Sequence, residues 1–209
     1  MKVGVLALQG DVPEHLAALA RLGGGRTARP VRTPADLASI DALFLPGGES
    51  TTIAKLLRES GLWVPLGARL DQGLPVLATC AGLIVLARHL EASPSGPNPP
   101  TLGRLDVTVR RNDYGSQRES FEGAVVVDGL DGPPFPGVFI RAPRILKVGP
   151  EASAFARRGD EIVGVRAGPI WGLTFHPELS GDPRVHERFL DAAEASLQGE
   201  RAAGRRPRR

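Results

Sequence analysis

Lys2 to Leu8 is an almost unbroken apolar run, and runs of the same kind return at Ala42-Leu43-Phe44-Leu45 and Pro75-Val76-Leu77-Ala78. A strand that is apolar at every position must be covered on both faces, as it is inside a parallel sheet sandwiched by helices. The segments between these runs carry helical signals. Asp11-Val12-Pro13-Glu14 offers an N-cap, a first-turn proline and a glutamate three residues after the cap, ahead of Leu16, Leu19 and Leu22. Thr27 to Val31 reads as a second strand, and Thr33-Pro34-Ala35-Asp36 opens a short helix. Helical patterning follows Pro46-Gly47-Gly48-Glu49-Ser50-Thr51-Thr52 through Leu57, and again spans Trp63 to Leu70 and Leu83 to Leu90. The alternation predicts βαβ units in an α/β fold of three layers, a central mostly parallel sheet flanked by helices.

Beyond a proline-rich loop at Ser93 to Pro100 the rhythm changes. Leu105, Val107 and Val109 alternate with polar residues, and short strands are expected at Ala124 to Val127, Val138 to Ile140, Ile145 to Val148, Ile162 to Val165 and Ile170 to Thr174. These are the additional antiparallel strands of the second half. A last helix is expected near Val185 to Leu197. The 209 residues suit one domain, since single cores commonly reach ~150 to 250 residues. We assign residues 1–198 to it and read 199–209, which holds much of the positive excess, as a basic disordered tail. No aromatic residue is interleaved with that charge, so nucleic acid is not an expected partner. No apolar run approaches the roughly 20 residues of a membrane span, and the N-terminus turns polar at Gln9-Gly10-Asp11, too early for a secretory signal. A cytoplasmic protein is the default expectation.

The chain has a single cysteine, Cys80, so neither an intrachain disulfide nor a multi-cysteine zinc cage is available to it. Alone, a free cysteine is more often a small buried apolar residue than a nucleophile. Its place alters that balance. Pro75 to Ala78 runs straight into Thr79-Cys80-Ala81-Gly82 and then a helix, and a strand-to-helix elbow exposes a side chain beside helix amides that favour an anion. His176-Pro177-Glu178 follows the apolar strand Ile170 to Phe175, at the strand end where open α/β sheets bind ligands. A histidine there can serve as base and the glutamate as its orienting carboxylate. Gly47 and Gly48, also at a strand end, let backbone amides approach a ligand, so they and the amide of Ala81 are candidates for an oxyanion hole. The turn lacks the Gly-Lys-Ser/Thr ending of a nucleotide-binding loop.

These three pieces resemble the class I, or triad, glutamine amidotransferases, a three-layer, flavodoxin-like fold, and within them the family of glutaminase subunits of pyridoxal 5'-phosphate synthase. The residues that carry the resemblance are Gly4 to Gly10, Leu45 to Thr52, Thr79 to Ile84, Arg111-Asn112 with Tyr114-Gly115, Ser120-Phe121-Glu122, Val138 to Pro143 and Phe175 to Leu179. The resemblance implies a catalytic triad of Cys80, His176 and Glu178. It further implies that Gly48, Glu49, Ser50, Arg111, Ile140 and Arg141 hold L-glutamine, with no cofactor and no metal. It also implies a partner, a (β/α)8-barrel synthase in a large hetero-oligomer, which docks near Gln9-Gly10 and the Gly47-Gly48 turn and receives the ammonia. Ser116 stands where many relatives carry arginine.

Two other readings stay open at this stage: a glutaminase subunit of another amidotransferase, such as that of histidine biosynthesis, and a scaffold with a silent cysteine. Other residues read as structural. His15, His89 and His186 are expected at exposed helix positions, Trp63 and Trp171 in the core, and Arg110-Arg111, apart from the resemblance, at a strand edge. A glutamine-like electrophile is expected to label Cys80 selectively and to be blocked by glutamine; an inert thiol, measured by mass spectrometry, would favour the scaffold.

Overall fold

The computed structural model describes residues 1–92, 96–111 and 120–204, without the side chains of 200–204. Expectations for Asn112, Tyr114, Gly115, Ser116 and positions 93–95 of the proline-rich loop fall outside the described residues, as do 205–209 of the tail.

Among the described residues the strands β1 (Lys2–Leu6), β2 (Thr27–Val31), β3 (Ala42–Leu45), β4 (Val76–Thr79) and β12 (Ile170–Leu173) form a parallel array in the order β2-β1-β3-β4-β12. The same sheet then continues antiparallel through β11 (Glu161–Ala167), β10 (Ser153–Arg158), β7 (Phe121–Val127) and β8 (Phe135–Phe139). A smaller sheet joins β5 (Ala87–Leu90), β6 (Leu105–Arg110) and β9 (Arg144–Val148).

The helices are α1 (Val12–Leu22), α2 (Pro34–Ala38), α3 (Ser50–Glu59), α4 (Trp63–Asp71), α5 (Ala81–Leu86) and α6 (Arg184–Gly204). They cover both faces of the parallel array, and the strands divide their side chains accordingly. Leu43 and Leu45 of β3 pack into one core with Ile53, Leu57, Leu66 and the apolar residues of α5. Ala42 and Phe44 of the same strand pack into a second core with Leu19 of α1 and Val185, Phe189, Leu190 and Ala193 of α6. That two-sided burial is what the unbroken apolar runs encode. Thr33 caps α2 with a reciprocal pair of bonds to Asp36, as its sequence predicts.

The structure corrects several expectations. The helix predicted over Leu83 to Leu90 stops at Leu86, and Ala87–Leu90 extends into β5, where Ala87 pairs with Leu105 and Leu90 with Val109. His89 is therefore an exposed strand residue. His15 and His186 are fully buried rather than exposed. Their helices explain why: His15 shares a face with Ala18 and Leu19, and His186 with Phe189, Leu190 and Ala193, at the i, i+3, i+4 spacing of a core stripe. β10 was not expected, because alanine and arginine dominate Ser153–Arg158 and carry little strand propensity of their own. Arg111 follows β6, which lies between β5 and β9, so it is not at a strand edge. Trp171 is core, and Trp63 packs partly buried beneath the guanidinium of Arg58. α6 continues past Gln198 to Gly204, into the segment read as tail.

Phe175 fills the core immediately before His176 and is fully buried. Phe175→Ala is expected to cost about 3–5 kcal/mol in denaturant-induced unfolding, whereas Val64→Ser, at a surface position, should stay within about 0.5 kcal/mol.

Candidate active site

Cys80 sits between β4 and α5 with φ 46° and ψ −103°, a left-handed conformation that a non-glycine residue holds only when its surroundings enforce it. Two features enforce it. The Cys80 N–H donates to the carbonyl of Leu173 on the neighbouring β12 at 2.8 Å. Gly82 lets α5 press onto β3, where a Cβ would lie 2.3 Å from the Leu45 carbonyl oxygen. Cys80 is 6% exposed and lines a cleft of about 370 Å³, and its sulfur lies 3.8 Å from the carbonyl of Ile140. Ala81 begins α5, so its amide is among those a helix start leaves without an intrahelical partner.

His176 leaves the end of β12 and begins a 3-10 turn at Pro177–Leu179. Its Nδ1 lies 2.8 Å from Oε1 of Glu178, which is completely buried, and 3.2 Å from Oδ2 of Asp11. Burial alone would lower the pKa of this imidazole. The carboxylate of Asp11, the sulfur of Cys80 and the carboxylate of Glu178 outweigh that and hold it well above its usual value. Glu178 is pushed up by burial, against the opposing hydrogen bond from His176. The imidazole lies close against the glycine turn: a Cβ on Gly47 would come 2.3 Å from its Cε1. Only glycine allows that approach.

The turn itself is tied to the first strand's loop. Asp11 N–H donates to the Gly47 carbonyl at 3.2 Å, and Glu49 N–H to Oε1 of Gln9 at 2.8 Å. The Glu49 carboxylate caps α3, accepting from the amides of Thr51 and Thr52 and from the Thr52 hydroxyl. Burial would raise its pKa, but those donors prevail and lower it. Arg111, buried, reaches Glu49 Oε1 at 3.4 Å and the Pro97 carbonyl at 3.1 Å.

Of the residues singled out from sequence, Gly48, Glu49, Ser50, Cys80, Ile140, Arg141 and His176 line one cleft together with Gln9, Gly10 and Asp11. Glu178 stands behind His176, and Arg111 behind Glu49, outside that lining. Gly47 supports the imidazole. Asp11 was read only as the cap of α1, yet it makes no side-chain cap bond and turns to His176 instead. Asp11, His176 and Glu178 are also the cluster among the described residues with the spacing to surround a cation, their donor atoms lying within 4.8 Å of one another. Both carboxylates converge on the same imidazole nitrogen, however, and the separations are those of N–H···O hydrogen bonds.

A sheet of this topology, with a cysteine elbow after one central strand and a histidine-glutamate pair after its neighbour, has the fold of the class I glutamine amidotransferases. Residues 5–195 match the SNO glutamine amidotransferase family, and the chain belongs to it. It is similar to the pyridoxal 5'-phosphate synthase subunit PdxT of Streptomyces coelicolor, 52% identical over 93% of this chain and 94% of that one. It is equally similar to the subunit of the same name from Deinococcus radiodurans, 52% identical over 97% and 100%. A crystal structure of a glutamine amidotransferase, 47% identical, superposes with a TM-score of 0.83 over 92% of this chain and 98% of that one. PurLQS from Thermotoga maritima, 15% identical with a TM-score of 0.63 over 91% and 97%, shares the fold alone.

A nearby carboxylate favours the charged imidazole, so removing one lowers the imidazole pKa. In an NMR titration His176 is expected to change charge above pH 6.5 and to move downward in Asp11→Asn. An unmoved midpoint would show that Asp11 does not act on it.

Proposed function

We infer that this chain is the glutamine-hydrolysing subunit of a pyridoxal 5'-phosphate synthase. The reading is carried by one observation: the strained Cys80 elbow opens into the same cleft as His176, whose far nitrogen is held at 2.8 Å by buried Glu178.

The sulfur of Cys80 gives its proton to His176 Nε2, the ring nitrogen opposite the Glu178 contact, and attacks the side-chain amide carbon of glutamine. Amides of the Gly47-Gly48 turn and of Ala81 receive the oxyanion; losing one such donor costs about 3 kcal/mol in comparable enzymes. The imidazolium returns its proton to the leaving nitrogen, which departs as ammonia and leaves a thioester. Water, deprotonated by the same imidazole, then releases glutamate and restores the thiol. Glu178 keeps the imidazole in the tautomer these transfers need and stabilises its charged form. Around the reacting centre, Gly48, Glu49, Ser50, Ile140 and Arg141 contact the amino-acid end of glutamine, and Arg111 acts through Glu49, since a guanidinium and a carboxylate suit an α-carboxylate and an α-ammonium.

The ammonia passes to a separate (β/α)8-barrel synthase subunit in a large hetero-oligomer, where ribose 5-phosphate and glyceraldehyde 3-phosphate become pyridoxal 5'-phosphate. The hydrogen bonds from Asp11 and Glu49 tie the Gly47-Gly48 turn to the Gln9-Gly10 segment, and docking of the partner there reorients a peptide of the turn to complete the oxyanion hole. The catalytic unit is residues 1–198, with 199–209 an appendage. Cytoplasmic residence suits a lone catalytic thiol, and no helix of the described residues is long and apolar enough to cross a membrane.

Mixed with a barrel synthase, glutamine and the two sugar phosphates, the chain is expected to support vitamer formation, read by absorbance. Cys80→Ala should abolish the glutamine-driven rate and leave the ammonia-driven rate intact. Equal loss with both nitrogen sources would contradict the assignment.

A further inference from the structure

Two buried histidines take no part in the chemistry above. His15 of α1 and His186 of α6 meet beneath the cleft, both completely shielded from solvent. His15 Nε2 lies 3.5 Å from Glu178 Oε2 and 3.4 Å from the Thr79 hydroxyl, one residue before the nucleophile. On the other side of the ring, Nδ1 lies 3.3 Å from His186 Nε2. The two oxygens of Glu178 therefore differ: Oε1 is engaged by His176, while Oε2 is buried with no hydrogen bond of full geometry and has His15 Nε2 as its neighbour.

The protons of this cluster can be assigned. Burial, with His186 and His176 nearby, drives the His15 pKa well below its usual value, and burial with Arg21 brings His186 to about 4. Each ring is then neutral near pH 7 and carries one N–H. If His15 were protonated on Nδ1, the lone pair of Nε2 would face the carboxylate oxygen of Glu178, a repulsive contact. Protonated on Nε2 instead, it can donate to the Thr79 hydroxyl oxygen, brings the positive end of that N–H bond near Glu178 Oε2, and leaves Nδ1 to accept from the His186 Nε2–H. His186 Nδ1 is then unprotonated, and it is a buried nitrogen without a hydrogen-bond partner. This arrangement gives both His15 nitrogens a hydrogen-bond partner. Phe44 of β3 packs beside both rings, 5.5 Å from that of His15 and stacked on that of His186 at 5.3 Å.

We propose that His15, held by His186, is a positioning residue of the triad: its Nε2–H fixes the second oxygen of Glu178, so that the first remains on His176. The proposal rests on the triad reading given above. A carboxylate in an apolar pocket is free to rotate about its terminal torsion and inclined to take up a proton. A donor on Oε2 opposes both, because it selects one rotation and stabilises the ionised form. Neither leucine nor phenylalanine at position 15 supplies that donor.

The test uses the complex with a barrel synthase and compares wild type, Cys80→Ala, His15→Leu and His15→Gln in a glutaminase assay. Leucine keeps the bulk without the N–H, whereas the glutamine amide carries an N–H close to the imidazole Nε2 position. His15→Leu is expected to lower kcat roughly tenfold while KM changes less than about twofold, and His15→Gln to recover most of the loss. Wild-type kcat in His15→Leu, or equal impairment of both variants, overturns the role of His15 while leaving the triad standing. Wild type no faster than Cys80→Ala overturns the triad and the proposal with it. The unaltered protein supplies a second measurement that needs no variant to fold. Its imidazole nitrogen-15 spectrum at pH 7 should contain His15 as the neutral Nε2–H tautomer, and an Nδ1–H or doubly protonated ring would refute the arrangement.

Discussion

The hydrogen bond from the Cys80 amide to the Leu173 carbonyl is the contact on which the site depends. It closes the last register position of the parallel pair β4 and β12, where Thr79 lies opposite Leu173. Chain segments nearly a hundred positions apart thereby end side by side, and each turns outward at the same edge. Cys80 begins a helix and His176 a 3-10 turn. With β3 paired to the other side of β4, the Gly47-Gly48 turn reaches the same edge. Strand order brings Cys80, His176 and the glycine turn together, and side-chain packing only refines the distances.

What lies under that edge is unusual for a protein interior. The side chain of Glu178 and the whole of His15 and His186 are completely buried, and His176 nearly so, beside a largely aliphatic and aromatic core. Burying such groups is costly unless each meets a partner. Here the partners are mutual, and opposing tendencies on the pKa values follow from them: the carboxylates raise His176, while burial lowers His15 and His186. One histidine is thus kept ready to carry charge and two are kept neutral, by environment alone. The strain at Cys80 and the close approach of Gly47 to the imidazole belong to the same economy of space.

Much of this was legible from residue order. The unbroken apolar runs named the parallel strands, and punctuation by Pro46-Gly47-Gly48, Thr79-Cys80 and His176-Pro177-Glu178 named the strand ends that carry chemistry. The less legible parts share one cause. Ala87 to Leu90 and Ser153 to Arg158 are strands because β6 and β11 lie alongside them, with weak support from their own residues. Asp11 looked like a helix cap, since nothing local reveals that His176 stands 3.2 Å away. His15 and His186 sit beside charged neighbours that suggested solvent, although their spacing to Ala18, Leu19, Phe189 and Leu190 placed them on the buried face.

By itself the sequence determined the fold class, pointed to the three residues proposed as nucleophile, base and carboxylate, and marked the edge of the sheet where they gather, because hydrophobic period and turn chemistry are local properties read from neighbouring residues. Tertiary structure alone decided which strands lie side by side, which side of Glu178 meets His176 and which meets His15, and why Gly47 has no room for a side chain. Those outcomes are set by packing between segments distant along the chain.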